Sequence, residues 1–126
     1  MSTNSSLCVA LVDDDESLCR SLGRLLRASG MQPVAYGSAE GFLADTTKPR
    51  FDCLLLDVQL GGMSGIDLAR QLVEQGGCAP FIFITARDDR ETRAAAQAVG
   101  CVAYFLKSDN GADVLAAVRR AIRIAR

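Results

Sequence analysis

Five times along the chain a short apolar run is followed by a longer segment with helical spacing, and this alternation limits the fold more than any other feature. Strand-like runs are expected at residues 7–12, 32–36, 51–57, 80–85 and 101–106. Helices are expected at 16–29, 38–44, 64–74 and 88–99, with a last one that begins after Asn110 and turns Val114, Leu115, Val118 and Ile122 inward. Gly30, Gly76-Gly77 and Gly100 stand where three of these helices should stop. Strict β-α alternation with short connections implies a parallel sheet, helices on both faces and right-handed crossovers. The predicted fold class is α/β: a flavodoxin-like (βα)5 doubly wound sheet in the order 2-1-3-4-5, one domain over residues 1–126, its crevice between strands 1 and 3.

Within that frame the stretch from Phe51 to Gly65 stands out. The apolar run Cys53 to Leu56 reads as a strand buried on both faces, and it ends on the carboxylate of Asp57 before a loop with three glycines. Asp57 therefore belongs at the carboxyl edge of the sheet, where open α/β sheets place ligands. As a helix cap it would be badly spaced, and Ser64 already fits that role.

Strand 1 ends at the same edge in Asp13-Asp14-Asp15-Glu16. Gathered carboxylates repel by several kcal/mol per close pair at an effective dielectric near ~20, unless a cation joins them. Mg2+ suits such a site because it prefers oxygen ligands and keeps several waters. Asp15 and Glu16 have a simpler use, complementing the dipole of the first helix; Asp13 and Asp14 point to a shared metal site. Thr85 ends strand 4 and Lys107 ends strand 5, which starts roughly 10 Å from strand 3 at normal strand spacing. A hydroxyl from the neighbouring strand and a long ammonium from the next one can thus converge on Asp57. Each is a common residue in its position. Carboxylate, cation, hydroxyl and ammonium together suit a phosphoryl group.

Composition removes several competing chemistries. The chain has no histidine, which excludes Ser-His-Asp and Cys-His mechanisms, and its five cysteines form no CxxC pair for zinc. Cys8, Cys19, Cys53, Cys78 and Cys101 are instead expected as small buried hydrophobes. A net charge of -1 argues against direct nucleic acid contact, and 49% hydrophobic residues argue for a folded globule. No apolar run approaches the ~20 residues of a membrane span, residues 1–6 carry no signal-peptide pattern, and a cytoplasmic location is expected. No GxxxxGK[ST] follows strand 1, so nucleotide binding of that kind fails.

Taken together, Val12-Asp13-Asp14-Asp15, Asp57-Val-Gln-Leu-Gly-Gly-Met-Ser-Gly65, Ile84-Thr85-Ala86 and Tyr104-Phe-Leu-Lys107 carry a resemblance that covers essentially the whole chain. The chain resembles a response-regulator receiver domain of two-component signalling, and looks closest to those attached to helix-turn-helix transcription factors. The resemblance implies that Asp57 is the phosphoacceptor, phosphorylated from a sensor histidine kinase or a small phosphodonor. It implies that Asp14, Asp57 and the Gln59 backbone carbonyl ligate Mg2+ directly and Asp13 through a water. Lys107 and Thr85 would contact phosphoryl oxygens, and Tyr104 would turn inward after Thr85, although a strand tyrosine can also stay still. Nearly two added charges would then shift the surface of helix 4, strand 5 and helix 5. That surface would control an output domain or DNA-bound regulator region, or support a phosphorylation-dependent homodimer. Arg119, Arg120, Arg123 and Arg126 would contribute to it, or simply complement the carboxyl end of the last helix. Such a domain is no enzyme beyond catalysing its own phosphorylation and dephosphorylation.

Two positions depart from the family pattern. Ser108 follows Lys107 where proline is usual, so that peptide is expected to be trans and the aim of Lys107 is open. Gly61 also replaces a frequent proline, which predicts a looser loop after Asp57. Gln59 and Arg87 sit at positions that tune phosphoryl lifetime in the family. Two other classes remain: a haloacid-dehalogenase-type phosphatase, against which Gln59 stands where a second Asp is needed, and an interaction module that keeps the fold without using phosphorylation.

Overall fold

The computed structural model describes residues 7–77 and 79–125. Residues 1–6, Cys78 and Arg126, each of which entered the sequence reading, lie outside the described residues. Strands β1 (Leu7–Val12), β2 (Met31–Tyr36), β3 (Cys53–Asp57), β4 (Phe81–Thr85) and β5 (Ala103–Leu106) alternate with α1 (Glu16–Ala28), α2 (Ala39–Ala44), α3 (Gly65–Glu74), α4 (Arg90–Val99) and α5 (Gly111–Ala125). All strand pairs are parallel, in the expected order β2-β1-β3-β4-β5.

The period of two along each strand sorts the interior into two cores. Val9, Leu11, Cys53, Leu55, Ile82 and Ile84 face α1 and α5, meeting Leu22, Leu26, Val114, Val118 and Ile122. Ala10, Val12, Leu54, Leu56, Phe81 and Phe83 face the other way, onto Phe42 of α2, Ile66 and Leu68 of α3 and Ala96 of α4. β3 and β4 are buried throughout, as strands covered on both faces must be. No helix is long and apolar enough to cross a membrane among the described residues.

Boundaries shift where a capping side chain displaces the helix start. α4, expected from residue 88, starts at Arg90 because Asp89 caps it, accepting from the Thr92 amide, whereas Ser64 caps α3 as expected, accepting from the Asp67 amide. Ser38 and Asn110 cap α2 and α5 as expected, Asn110 Oδ1 accepting from the Ala112 amide at 2.8 Å. Gly100 ends α4 in the left-handed region at φ 99°. Leu25 of α1 and Val73 of α3 are large apolar residues at the surface, 36% and 44% exposed. The cysteines also differ from expectation. Cys53 is fully buried, and burial pushes its thiol up to about 12, but Cys8, Cys19 and Cys101 are half-buried.

Candidate functional site

The carboxyl ends of β1, β3 and β5 deliver four charged side chains to one place. β1 runs into Asp13, whose amide donates to the Tyr36 carbonyl of β2 at 2.9 Å, so the ladder holds the backbone in line as the strand ends. Asp57, the last residue of β3, is 3% exposed, and Asp13 is 8% exposed. Lys107 leaves β5 with its amide donating to the Thr85 carbonyl at 2.8 Å. Its ammonium then spans the crevice, donating to Asp13 Oδ1 and to Asp57 Oδ2, both at 3.0 Å. Two strands of separation are crossed by one lysine stem, as the topology requires.

The turn that aims Lys107 needs no proline. The Lys107-Ser108 peptide is trans, as expected. Asp109 closes the turn instead, its carboxylate accepting from the Leu106 amide at 2.8 Å while its own amide donates to the Leu106 carbonyl at 2.9 Å. A side-chain-closed turn of this type substitutes for backbone rigidity.

Asp57 is oriented from both sides. Its Oδ1 accepts from the Gln59 amide at 3.1 Å, opposite the Lys107 contact. Burial still dominates: desolvation, with the nearby Asp13 charge, pushes the Asp57 carboxyl up to about 6 against the pull of Lys107. Burial alone would lower the Lys107 ammonium, but the hydrogen bonds it donates to Asp57 and Asp13 outweigh that and raise its pKa.

Asp14 is exposed, next to this pair, and Asp13, Asp14 and Asp57 each present one carboxylate oxygen within 4.8 Å of the other two. Octahedral Mg2+ holds its oxygens at about 2.1 Å, so two ligands across the ion stand about 4.2 Å apart. The three carboxylates fit that ion with small side-chain adjustments. The donor set is all oxygen, which suits a hard cation.

Asp15 has the structural role foreseen for it. Its side chain caps α1, accepting from the Leu18 amide at 3.1 Å, and its amide donates to Asp13 Oδ1 at 2.9 Å. Asp15→Ala is expected to cost about 1 kcal/mol, a fall of about 3 °C in melting temperature, because the cap is lost. Phosphoryl uptake should be unchanged, since the amide that orients Asp13 remains; a loss of uptake would place Asp15 in the site.

Thr85 and Tyr104 stand apart from the four charges. Thr85 is fully buried at the end of β4, and its hydroxyl accepts from the Arg87 amide at 3.3 Å. Tyr104 pairs in register with Phe83, on the face covered by α2, α3 and α4.

Glu40 is a contributor that the sequence did not reveal. From α2 it accepts from the Met63 amide at 2.8 Å, tying down the loop after Asp57. That loop, expected to be loose because of Gly61, is anchored one turn later. Gly62 makes the approach feasible, since a Cβ there would overlap the Glu40 carboxylate. Nothing in the local pattern joins residues 23 apart, and only the packing of α2 against the sheet does so.

Comparison with known proteins gives a consistent result. Residues 9–119 match the family model described as the response regulator receiver domain. The chain is 35% identical over 125 residues to the response regulator protein TodT of Pseudomonas putida, covering 99% of this chain and 55% of that protein. It is 38% identical over 110 residues to nodulation protein W of Bradyrhizobium diazoefficiens, covering 87% of this chain and 48% of that one. A response regulator receiver protein from Burkholderia phymatum superposes with a TM-score of 0.80 at 40% identity, covering 94% of this chain and 96% of that structure. The chain spans about half the length of the curated relatives it matches.

Proposed function

Since the chain belongs to the response-regulator receiver domain family of two-component signalling, we propose that Asp57 is its phosphoacceptor. The observation that supports this most is the placement of Asp57: buried at the sheet edge, bonded to Lys107 on one side and beside Asp13 and Asp14 on the other. In the transfer, an Asp57 carboxylate oxygen bonds to phosphorus as the phosphorus–nitrogen bond of a kinase phosphohistidine breaks. With a small donor the bond broken is the phosphorus–oxygen bond of an acyl phosphate, and in either case the leaving group keeps the electron pair.

Asp14, Asp57 and the Gln59 carbonyl would hold Mg2+, with Asp13 acting through a water. When bound, the ion supplies positive charge against the phosphoryl oxygens. Lys107 then turns from its carboxylate partners to a phosphoryl oxygen, an exchange of one charge-assisted bond for another. Thr85 accepts only a 3.3 Å bond from Arg87 and so has its hydroxyl proton to give. Its movement toward the phosphoryl group would open room into which Tyr104 follows. The surface of α4, β5 and α5, including Arg119, Arg120 and Arg123, would carry the change to a homodimer partner or to an output region that controls transcription. We assign the work to the cytoplasm, with self-phosphorylation and self-dephosphorylation as the only catalysis.

The test is intact-mass measurement after incubation with Mg2+ and a small acyl-phosphate donor. Wild type should gain one phosphoryl group and Asp57→Asn none. A wild-type protein that folds but gains nothing would favour the interaction module, and turnover of assorted phosphate esters would favour a phosphatase.

A further inference from the structure

The Tyr104 hydroxyl is the one buried side-chain polar atom without a hydrogen-bond partner among the described residues. A buried, unpaired hydroxyl is unfavourable, so an inward ring must be held by something other than its polar end. Over its face lies the Arg93 guanidinium, 4.6 Å from the ring centroid. Arg93 is itself fixed in a fork, with Nε donating to Asp88 Oδ1 at 3.2 Å and Nη2 to Asp88 Oδ2 at 3.0 Å. Asp88 belongs to the connection between β4 and α4, three residues after Thr85, and Arg93 is on the first turn of α4. The contacts thus run without a gap from the segment after Thr85, through a planar ion pair, to the ring on β5.

We propose that Asp88 and Arg93 form a latch that keeps Tyr104 inward, which makes Arg93 a positioning residue for the switch. This rests on the reading of Tyr104 as a switch residue given above. Arginine suits the task because one planar group can stack on an aromatic face and grip a carboxylate with two bonds. The latch thus holds the ring, before Thr85 moves, on the inward side to which Tyr104 goes when Thr85 turns to the phosphoryl group, and if Asp88 is drawn away the cation loses its support on the ring. The hydroxyl can then reach water, which removes the penalty that opposed the inward position.

The chain has two tyrosines and no tryptophan, so in a Tyr36→Phe background Tyr104 alone supplies the fluorescence. Acrylamide quenching of the unphosphorylated protein then reports how far the ring is exposed. Arg93→Ala should shift the outward population by about fivefold, in line with the strength of a partly exposed cation–aromatic contact. Asp88→Asn should move quenching the same way by less, and Arg93→Lys should restore part of the protection. Combining Arg93→Ala with Asp88→Asn should add nothing, since both break one latch. Quenching unchanged by these substitutions in folded protein, judged by circular dichroism, overturns the proposal. If Arg93→Ala does not fold, Asp88→Asn decides the matter, because it leaves Arg93 in place. Phosphoryl uptake is measured on the same proteins by intact mass and should persist in every variant. Its absence from wild type would sink the phosphoacceptor reading while the quenching result still judged the latch.

Discussion

Replacing Lys107 by methionine is expected to lower the melting temperature of the metal-free protein by about 10 °C at pH 8. Methionine keeps most of the stem and removes the ammonium that lies between Asp13 and Asp57. Breaking a buried ion pair by deleting one partner costs about 3–5 kcal/mol, and the partial exposure of the Lys107 side chain, 20%, places this case at the lower end. The loss should depend on pH in a definite direction. The folded-state Asp57 carboxyl is raised from 3.8 to about 6, so between these values the folded protein holds a proton that the unfolded chain has released. Its contribution to stability is therefore fully present below about 4 and is lost as pH rises through about 6. Without the ammonium the folded value rises further, and the penalty of ionising Asp57 grows. The gap between variant and wild type should be widest at pH 8 and should narrow toward pH 5. Mg2+ should recover part of it at pH 8, by stabilising the ionised carboxylates. Thermal melts at three pH values with and without Mg2+ check this; a gap independent of pH would mean that Lys107 matters only for packing.

Gly65→Ala is expected to be nearly as damaging, for a steric reason. Gly65 opens α3 directly behind the end of β3, and its amide donates to the Val58 carbonyl at 3.0 Å. A Cβ on Gly65 would overlap the Asp57 carbonyl oxygen and would lie 2.9 Å from the Asp57 carbonyl carbon and 3.3 Å from Val58 Cα. All three atoms are backbone, so no side chain can rotate to make room. Either α3 backs away from the sheet or the end of β3 moves, and each displaces Asp57 or the loop that carries Gln59. Overpacking of this kind costs about 3 kcal/mol or more, and phosphoryl uptake should fall with it. Gly61→Ala is the matched control. A Cβ at Gly61 meets nothing within 4 Å, and its φ is not positive, so stability should stay level or rise by about 0.4–1 kcal/mol. Chemical denaturation of the two variants separates the cases, and equal losses would refute the steric account.

Much of this was legible before any coordinates, and the residues show why. The alternation of apolar runs encodes both the strand count and the two-faced burial of β3 and β4, because a parallel strand covered on both sides has to be apolar at every position. That property makes a charge at its end conspicuous, and Asp57 was found in this way. Asp13, Asp14 and Lys107 followed because each lies at the end of a strand, and strand order converts sequence position into distance.

Contacts that cross the fold through long side chains left no trace in the pattern. Neither the Glu40 carboxylate on the Met63 amide nor Arg93 on the Tyr104 ring has a periodicity or motif. The aim of Lys107 after Ser108 depended on the Asp109 turn, and the need for glycine at 65 on a close approach of α3 to β3. The sequence by itself determined the sheet, its order and the carboxylates gathered at its edge, since burial and period are local properties that survive in one dimension. Only the tertiary structure decided which ammonium lies between which oxygens and which hydroxyl is left without a partner, because these depend on angstrom-scale distances between elements far apart in the chain.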